Sequence, residues 1–245
     1  MAIQKAIILS AGKGSRLLPL TAEEPKCLVE LSGKSLLEWQ LDALQSAGIR
    51  DIVVVTGFRD DLVDAVAARR SGVRTLFNPF YHVADNLGSV WMARAELSCD
   101  TLLLNGDTLV SPRLLQRVLA ADAGPIAVTI DDKESYDADD MKVLRDGDRL
   151  LRIGKALEEG AYNAESIGLL AFRSEGARRF ADQVDLMMRW EDGTRRWYLR
   201  AVDELARAGD AIGVIPIAGE EWQEVDFPAD IEAAKLLTSR WASRS

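Results

Sequence analysis

The sequence predicts an α/β fold in which a mostly parallel mixed sheet carries helices on both faces. Three observations predict it. Short apolar runs rich in β-branched residues recur along the first half of the chain, and amphipathic stretches separate them. No repeat or Pro/Gly-rich linker divides the halves. Strands that alternate with helices in this way are typical of doubly wound, Rossmann-like sheets, so we expect a single domain over residues 1–245.

The first half contains four predicted strands and four predicted helices. The strands are 6–9, 52–55, 74–77 and 101–104, and the helices are 35–47, 60–69, 87–97 and 112–121. In helix 35–47, Ser35 and Glu38 form a capping-box pattern and Gly48 follows as a stop signal. Beyond residue 125 we expect strands 126–130, 141–144, 150–153 and 167–172, an exposed loop over 131–140, and helices 174–184 and 195–208.

Composition excludes several classes of function. A net charge of -9 argues against a nucleic-acid partner, which needs clustered lysines and arginines. Cys27, Cys99 and the single His82 form no zinc-type cluster. The apolar run within residues 1–10 is too short for a signal peptide, and no later run reaches a membrane span. We therefore expect a cytoplasmic protein without a membrane partner; its oligomeric state stays open, with a homodimer as one alternative.

A glycine-rich turn follows the first predicted strand. Its small residues allow backbone N–H groups to approach a phosphate, and Lys13 and Arg16 add positive charge. The dinucleotide-binding pattern fails because Leu17 stands in place of the third glycine, and the P-loop pattern at 33–35 fails because Leu28 replaces the first glycine. Since an ordinary tight turn also uses glycines, this loop alone leaves both interpretations open.

A longer motif extends beyond this turn. Pro25 and Lys26 follow Arg16, and the string LSAGKGSRLLPLTAEEPKCLVELSGKSLLEW resembles the N-terminal signature of nucleotidyltransferases that make activated sugars and cytidylyl alcohols. The resemblance implies a GT-A-like fold in which residues 1–125 mainly bind the nucleotide and 126–245 mainly bind the substrate. It implies that Arg16 and Lys26 neutralise phosphate charge. The implied nucleotide contacts in the turn are Ser10, Ala11, Gly12, Gly14 and Ser15.

Two aspartates are candidate ligands of Mg²⁺. Asp107 follows Gly106 at the carboxyl end of a strand, where open α/β sheets bind ligands. Far downstream, period-two alternation places Glu224 and Asp226 on one face. A strand-end Gly-Asp alone is more often a turn, but the family resemblance implies that Asp107 and Asp226 hold Mg²⁺ with the triphosphate and that Gly106 contacts the nucleotide. We expect Glu224 to orient this site.

Residues 78–93 resemble the phosphocholine cytidylyltransferase branch of this family. The resemblance implies CTP as the nucleotide and Asn86 and Ser89 as its contacts. Asp85 departs from the branch, which commonly has a second Asn there, so its role stays open. Segments 140–143, 153–155 and 165–168 also match the branch, which implies that Lys155 meets the substrate phosphate, with Lys142 either assisting it or lying exposed on its strand.

We expect a small phosphorylated or phosphonate acceptor with a cationic head group. Aromatic faces beside a carboxylate suit a quaternary ammonium, although core packing explains most tryptophans equally well. The candidate acceptor contacts are Glu165, Trp190, Trp197, Tyr198 and Trp222. The transfer itself is an in-line attack of the acceptor phosphate on the α-phosphorus, with release of pyrophosphate and no need for a general base.

Three alternatives remain. A sugar-1-phosphate nucleotidyltransferase would use UTP, GTP or dTTP. A glycosyltransferase of similar architecture would hold its metal through D-x-D, but Leu109 stands at the second acidic position after Asp107. A non-catalytic nucleotide-binding regulatory module would normally lose Lys26 or one of the aspartates, and this chain keeps them.

Overall fold

The computed structural model describes residues 3–244, so Met1, Ala2 and Ser245, including the start of the N-terminal run considered above, lie outside it. The strands are β1 (Lys5–Leu9), β2 (Glu30–Leu31), β3 (Lys34–Ser35), β4 (Asp51–Thr56), β5 (Val73–Phe77), β6 (Thr101–Asn105), β7 (Thr108–Val110), β8 (Ile126–Asp131), β9 (Lys142–Asp146), β10 (Arg149–Gly154), β11 (Ala164–Phe172), β12 (Ile212–Pro216) and β13 (Trp222–Glu224). The helices are α1 (Leu36–Ser46), α2 (Asp60–Ala67), α3 (Asn86–Met92), α4 (Pro112–Ala120), α5 (Gly176–Met188), α6 (Leu199–Arg207) and α7 (Pro228–Ala242).

One nine-stranded sheet contains strands from both halves of the chain, in the order β5-β4-β1-β6-β11-β8-β12-β10-β9. Strands β5, β4, β1 and β6 are parallel, as is the pair β8 and β12. Strand β11 runs antiparallel to β6 and β8, and β10 runs antiparallel to its neighbours. The predicted α/β class with a mixed sheet is therefore confirmed, and its parallel part lies mainly in the first half.

Helices cover both faces because the buried strands alternate their side chains between two cores. In β1, Ile7 points into one core while Ala6 and Ile8 point into the other. The first core receives Leu87 of α3, Phe180 of α5 and Val202 of α6. The second receives Leu41 of α1, Val63 of α2 and Leu114 of α4. Strands that are buried on both faces have continuous apolar sequences, which explains the apolar runs noted in the sequence.

A third, smaller core holds the C-terminal helix α7 against the glycine-rich turn. Ile231 and Trp241 of α7 pack with Leu17, Trp39 and Val225. The indole rings of Trp39 and Trp241 meet edge to face with their centroids 6.1 Å apart. This core places the segment before α7 directly beside the turn after β1.

The predicted helix boundaries hold for α1 and fail for α3. Ser35 caps α1 through the capping box with Glu38, and Gly48 adopts a left-handed φ of 93° just beyond the helix end. Helix α3 ends at Met92 rather than at residue 97, and a separate 3₁₀ turn follows it. The sequence patterns do not predict helix α7 or strands β2, β3, β7 and β12, whereas the alternation of Glu224 and Asp226 does indicate β13. Within residues 3–244, every helix is too short or too polar to cross a membrane.

Candidate active site

The glycine-rich turn after β1 is shaped around Lys26. Gly14 has a left-handed φ of 71°, and a Cβ atom built on it would lie 2.7 Å from Cβ of Lys26. The Thr21 hydroxyl donates a hydrogen bond of 2.7 Å to the Gly14 carbonyl and closes the turn. Gly14 is therefore required both by its backbone angle and by the lysine that packs on it.

Lys26 lies between two carboxylates that are far apart in the sequence. Its Nζ donates to Asp107 Oδ2 at 2.9 Å and to Asp226 Oδ1. Its side chain is only 13% exposed. Burial alone would lower the pKa of Lys26, but the charges of Asp107 and Asp226 outweigh burial and hold the pKa above its ordinary value. Lys26 is therefore charged and fixed in position, not a solvated surface lysine.

The pairing of two short strands brings the aspartates together. Strand β13 runs antiparallel to β7, and the Val225 N–H donates to the Asp107 carbonyl at 3.0 Å. On the other side, the carboxylate of Asp230 accepts from the backbone N–H groups of Asp226 and Phe227 at the start of α7. Both aspartates consequently reach the carboxyl edge of the sheet beside the glycine-rich turn.

A second cation from the turn completes this cluster. Arg16 donates to Asp226 Oδ2 at 2.9 Å and lies 3.5 Å from Asp139, while its guanidinium sits over the Phe227 ring. The side chain of Arg16 is 45% exposed. Because it is more open to solvent than Lys26, Arg16 is free to turn toward a phosphate that enters the site.

Glu224 is a third carboxyl group at this edge. Burial raises its pKa to about 8, and the negative charges of Asp107 and Asp226 add to that effect. A raised pKa makes Glu224 a weaker anionic ligand than Asp107 or Asp226, which agrees with a supporting role.

The two aspartates suit a divalent cation that is also bound by phosphate. Within residues 3–244, no group of three or more His, Cys, Asp and Glu side chains could hold a metal ion by itself. Asp107 and Asp226, however, converge on a single positive charge, the Lys26 ammonium, which shows that their oxygens can face one cation. Two carboxylates with further oxygens from phosphate form the type of ligand set that Mg²⁺ prefers.

Two cavities that share Asn86 and Asp107 in their linings lie beside this cluster. The larger, of about 470 Å³, is lined by Gly14, Ser15, Arg16, Asn86, Asp107, Lys155, Glu165, Trp197, Tyr198, Glu224 and Asp226, among others, and we call it the central cavity. The smaller, of about 230 Å³, is lined by Ala11, Gly12, Asp85, Asn86, Ser89, Gly106 and Asp107, among others. The structure thus brings most of the predicted nucleotide contacts to one place; Ser10 is buried and lines neither cavity.

Several of these residues also have structural tasks. Asp85 caps α3 by accepting the Asn86 N–H at 2.7 Å, which gives this departure from the family motif a local role. The Asn86 side-chain oxygen accepts from the Tyr198 N–H, and the buried Ser89 hydroxyl accepts from Asn78 at 3.1 Å. A Cβ at Gly106 would lie 2.3 Å from the Leu9 carbonyl, so this glycine is required by the close approach of β1.

Lys155 forms the far wall of the central cavity. Its Nζ lies 3.7 Å from Asp139 and 4.8 Å above the Trp197 ring. One face of Trp197 is therefore already covered by a cation of the protein. Tyr198 is fully buried, and its hydroxyl donates to Asn105 Oδ1 at 2.9 Å, so it contributes a wall but no open aromatic face.

A further cavity, of about 620 Å³, lies next to the central one and is strongly acidic; we call it the acidic cavity. Its charged lining is Lys133, Asp137, Asp139, Asp140, Glu165, Glu224, Asp226 and Asp230. Burial raises the pKa of Glu165 to about 7, although Lys133 lies 2.8 Å away and opposes the shift. Trp222 lines this cavity and donates its indole N–H to Asp131 at 2.9 Å.

Two predicted acceptor contacts lie elsewhere. Lys142 is buried, and its Nζ donates to the backbone carbonyls of Asp137 (2.5 Å) and Lys155 (3.4 Å), so it fastens the loop after β8 instead of lining a cavity. Trp190 packs against the core beneath α5 and α6 and lines none of these three cavities. The sequence pattern does not single out Lys133, Asp139 and Asp140, because the run 131–140 is typical of an exposed loop; its density of acidic residues is the one signal available.

The fold and the grouped charges together define a nucleotidyltransferase-like protein. The chain superposes on the solved structure of a CTP:phosphocholine cytidylyltransferase from Streptococcus pneumoniae with a TM-score of 0.80, over 97% of this chain and 100% of that one, at 22% identity. Residues 6–138 match the family described as MobA-like NTP transferase domain. The chain therefore belongs to this family, and the resemblance inferred from the N-terminal signature is confirmed.

Two curated relatives also align with this chain in sequence. A CMP-5'-(3-aminopropyl)phosphonate synthase of Streptomyces rubellomurinus is 30% identical over 250 residues, covering 96% of this chain. A choline-phosphate cytidylyltransferase of Streptococcus pneumoniae is 39% identical over 94 residues, covering 38% of this chain. The matches span only 39% and 41% of the length of these two relatives.

Proposed function

We propose that this protein transfers CMP from CTP to a small phosphorylated or phosphonate acceptor in a Mg²⁺-dependent reaction that releases pyrophosphate. The observation that carries the proposal is the convergence of Lys26 with Arg16, Asp107 and Asp226, the last three of which line the central cavity. The names of the two curated relatives support the choice of a cytidylyl group over other nucleotides.

Each group of the cluster has a part in this reaction. Asp107 and Asp226 would hold Mg²⁺, which supplies charge neutralisation for the triphosphate when bound. Lys26 and Arg16 neutralise the negative charge that develops on the α-phosphoryl group and on pyrophosphate. An oxygen of the acceptor phosphate forms the new bond to the α-phosphorus while the bond to pyrophosphate breaks. Since that oxygen is already ionised near neutral pH, no general base is required.

The two large cavities suggest how the acceptor is oriented. Lys155 at the wall of the central cavity would contact the acceptor phosphate, and the acidic cavity beside it would receive a positively charged head group. Trp197 is less suited to cover that head group, because Lys155 already lies over its ring. Trp222 lines the acidic cavity and is the better candidate for an aromatic contact.

Pyrophosphate release tests this function. With four NTPs and three acceptors, we expect CTP with phosphocholine or 2-aminoethylphosphonate to react faster than any NTP with glucose-1-phosphate. Trp222→Leu should raise the KM for phosphocholine about two- to thirtyfold and leave the KM for CTP unchanged, because a cation over an aromatic face contributes about 0.5 to 2 kcal/mol. Faster turnover of UTP with glucose-1-phosphate would contradict the cationic acceptor and favour the sugar-phosphate alternative.

Substitution of Gly14 tests whether the turn positions Lys26. Gly14→Ala should lower kcat/KM for CTP by about tenfold or more, because the new methyl group collides with the Lys26 side chain and the backbone angle is strained. Gly33→Ala is a matched control: Gly33 also has a left-handed φ, of 85°, but nothing lies within 4 Å of its Cβ position. If both variants lose the same activity, backbone strain alone explains the effect.

A further inference from the structure

A cavity of about 320 Å³, separate from the acidic cavity, is lined by four arginines that the reaction above does not use; we call it the arginine cavity. Its charged lining residues are Arg152, Lys155, Arg195, Arg196, Arg200 and Asp203. Five of these six are cationic in a chain whose net charge is -9. Such a local excess of one sign attracts ligands of the opposite sign.

The arginines are only partly neutralised by the protein. Arg152 pairs with the buried Asp203 at 2.9 Å, and Arg196 pairs with Asp192. Arg200 pairs with Glu204 and also lies 3.3 Å from Asp203, which it shares with Arg152. Even so, the buried Nε–H groups of Arg196 and Arg200 lack a hydrogen-bond acceptor within residues 3–244.

Arg195 is neutralised by the protein less than the other three arginines are. Its side chain is exposed and has no hydrogen bond or ion pair within the described part of the chain; its one recorded charge interaction is with Asp192, which already pairs with Arg196. The cavity therefore combines one unpaired guanidinium with two guanidinium groups that each keep an unused, buried donor. Buried donors are normally paired, so unused ones beside a cavity indicate a missing acceptor.

We propose that the arginine cavity binds a carboxylate or phosphate group of a small molecule. Guanidinium groups suit such anions because their planar N–H donors match two oxygens at once. Lys155 and Trp197 line both this cavity and the central cavity. An anion bound here therefore touches the same lysine that faces the acceptor, and by linkage its binding changes the affinity for the acceptor.

Calorimetric titration of the full chain with inorganic phosphate, without divalent cations, tests the site. Arg195→Gln should raise the dissociation constant of this site about three- to tenfold, because it removes one charge-assisted contact from an exposed residue. Arg16→Gln, which alters the central cavity, should leave the Arg195-dependent binding unchanged. Arg178→Gln is the matched control, since Arg178 is exposed on α5 and unpaired within residues 3–244.

Three results would overturn the proposal. The first is the absence of saturable phosphate binding. The second is binding that Arg16→Gln weakens and Arg195→Gln leaves unchanged, which would place the anion in the central cavity alone. The third is an equal loss in Arg195→Gln and Arg178→Gln, which would reduce the effect to overall charge.

Steady-state kinetics identify the source of the anion. O-phosphoserine and phosphoethanolamine differ by one carboxylate. If the acceptor carries the bound group, Arg195→Gln raises the KM of phosphoserine alone. If a separate molecule carries it, inorganic phosphate changes the KM of phosphoethanolamine in the wild type but not in Arg195→Gln. Failure of all turnover would contradict the proposed function only, because the phosphate titration requires no turnover.

Discussion

Replacing either aspartate of the cluster, by Asp107→Asn or Asp226→Asn, is expected to lower kcat by about a hundredfold or more at saturating Mg²⁺. Each substitution removes one negative oxygen from the pair that would hold the metal, and several kcal/mol of transition-state stabilisation depend on it. Asparagine keeps the shape of the side chain and can still accept a hydrogen bond from Lys26, so the fold should be retained. Initial rates of pyrophosphate release across a Mg²⁺ titration measure the effect.

Asp122→Asn provides the control for these variants. Asp122 is exposed, lies away from the central cavity, and should give wild-type rates with an unchanged melting temperature. If Asp107→Asn or Asp226→Asn retains near-normal turnover at saturating Mg²⁺, that aspartate is not a metal ligand. If activity is lost together with cooperative unfolding, the residue serves the fold and the metal assignment is again wrong.

The sequence predicted the scaffold because local patterns specify it. Runs such as the one in β1 are continuous and apolar since both faces of the strand are buried, and the cap of α1 depends on two residues three positions apart. The meeting of Asp107 with Asp226 was predicted from the family resemblance alone. The pairing of β7 with β13 that produces it joins distant segments of three residues each. The alternation of Glu224 and Asp226 indicates a strand, but no local pattern shows that this strand pairs with β7.

Trp190 and Lys142 lie away from the central and acidic cavities for a common physical reason. A tryptophan or a strand lysine has the same local pattern whether it faces a ligand or the core, and only tertiary packing separates the two. Trp190 thus packs against the core, and Lys142 is buried with its ammonium on backbone carbonyls. Helix α7 could have been predicted, because Pro228 occupies its first turn, where proline is favoured.

Lys26→Ala is expected to lower kcat/KM for CTP by about a hundredfold or more and also to lower the melting temperature, in a manner that depends on pH. The loss of activity follows from removing a fixed cation beside the developing phosphate charge. The loss of stability, of about 1 to 3 kcal/mol, follows because Asp107 and Asp226 would face each other without their shared counter-charge.

The sign of the pH dependence is set by Asp226. Burial would raise its pKa, but Lys26 holds that pKa below its ordinary value of 3.8, so the stabilisation by this pair is present above about pH 4 and is lost as the pH falls further. The melting difference between wild type and Lys26→Ala, measured without divalent cations, should therefore stay large from pH 8 down to about pH 4 and shrink below pH 4. Lys5→Ala is the matched control: Lys5 is 15% exposed and pairs with Glu96 at 2.9 Å and Asp51 at 3.3 Å, far from the cluster. It should lower the melting temperature and leave turnover intact, whereas equal loss of turnover in both variants would mean that Lys26 acts only through the stability of the fold.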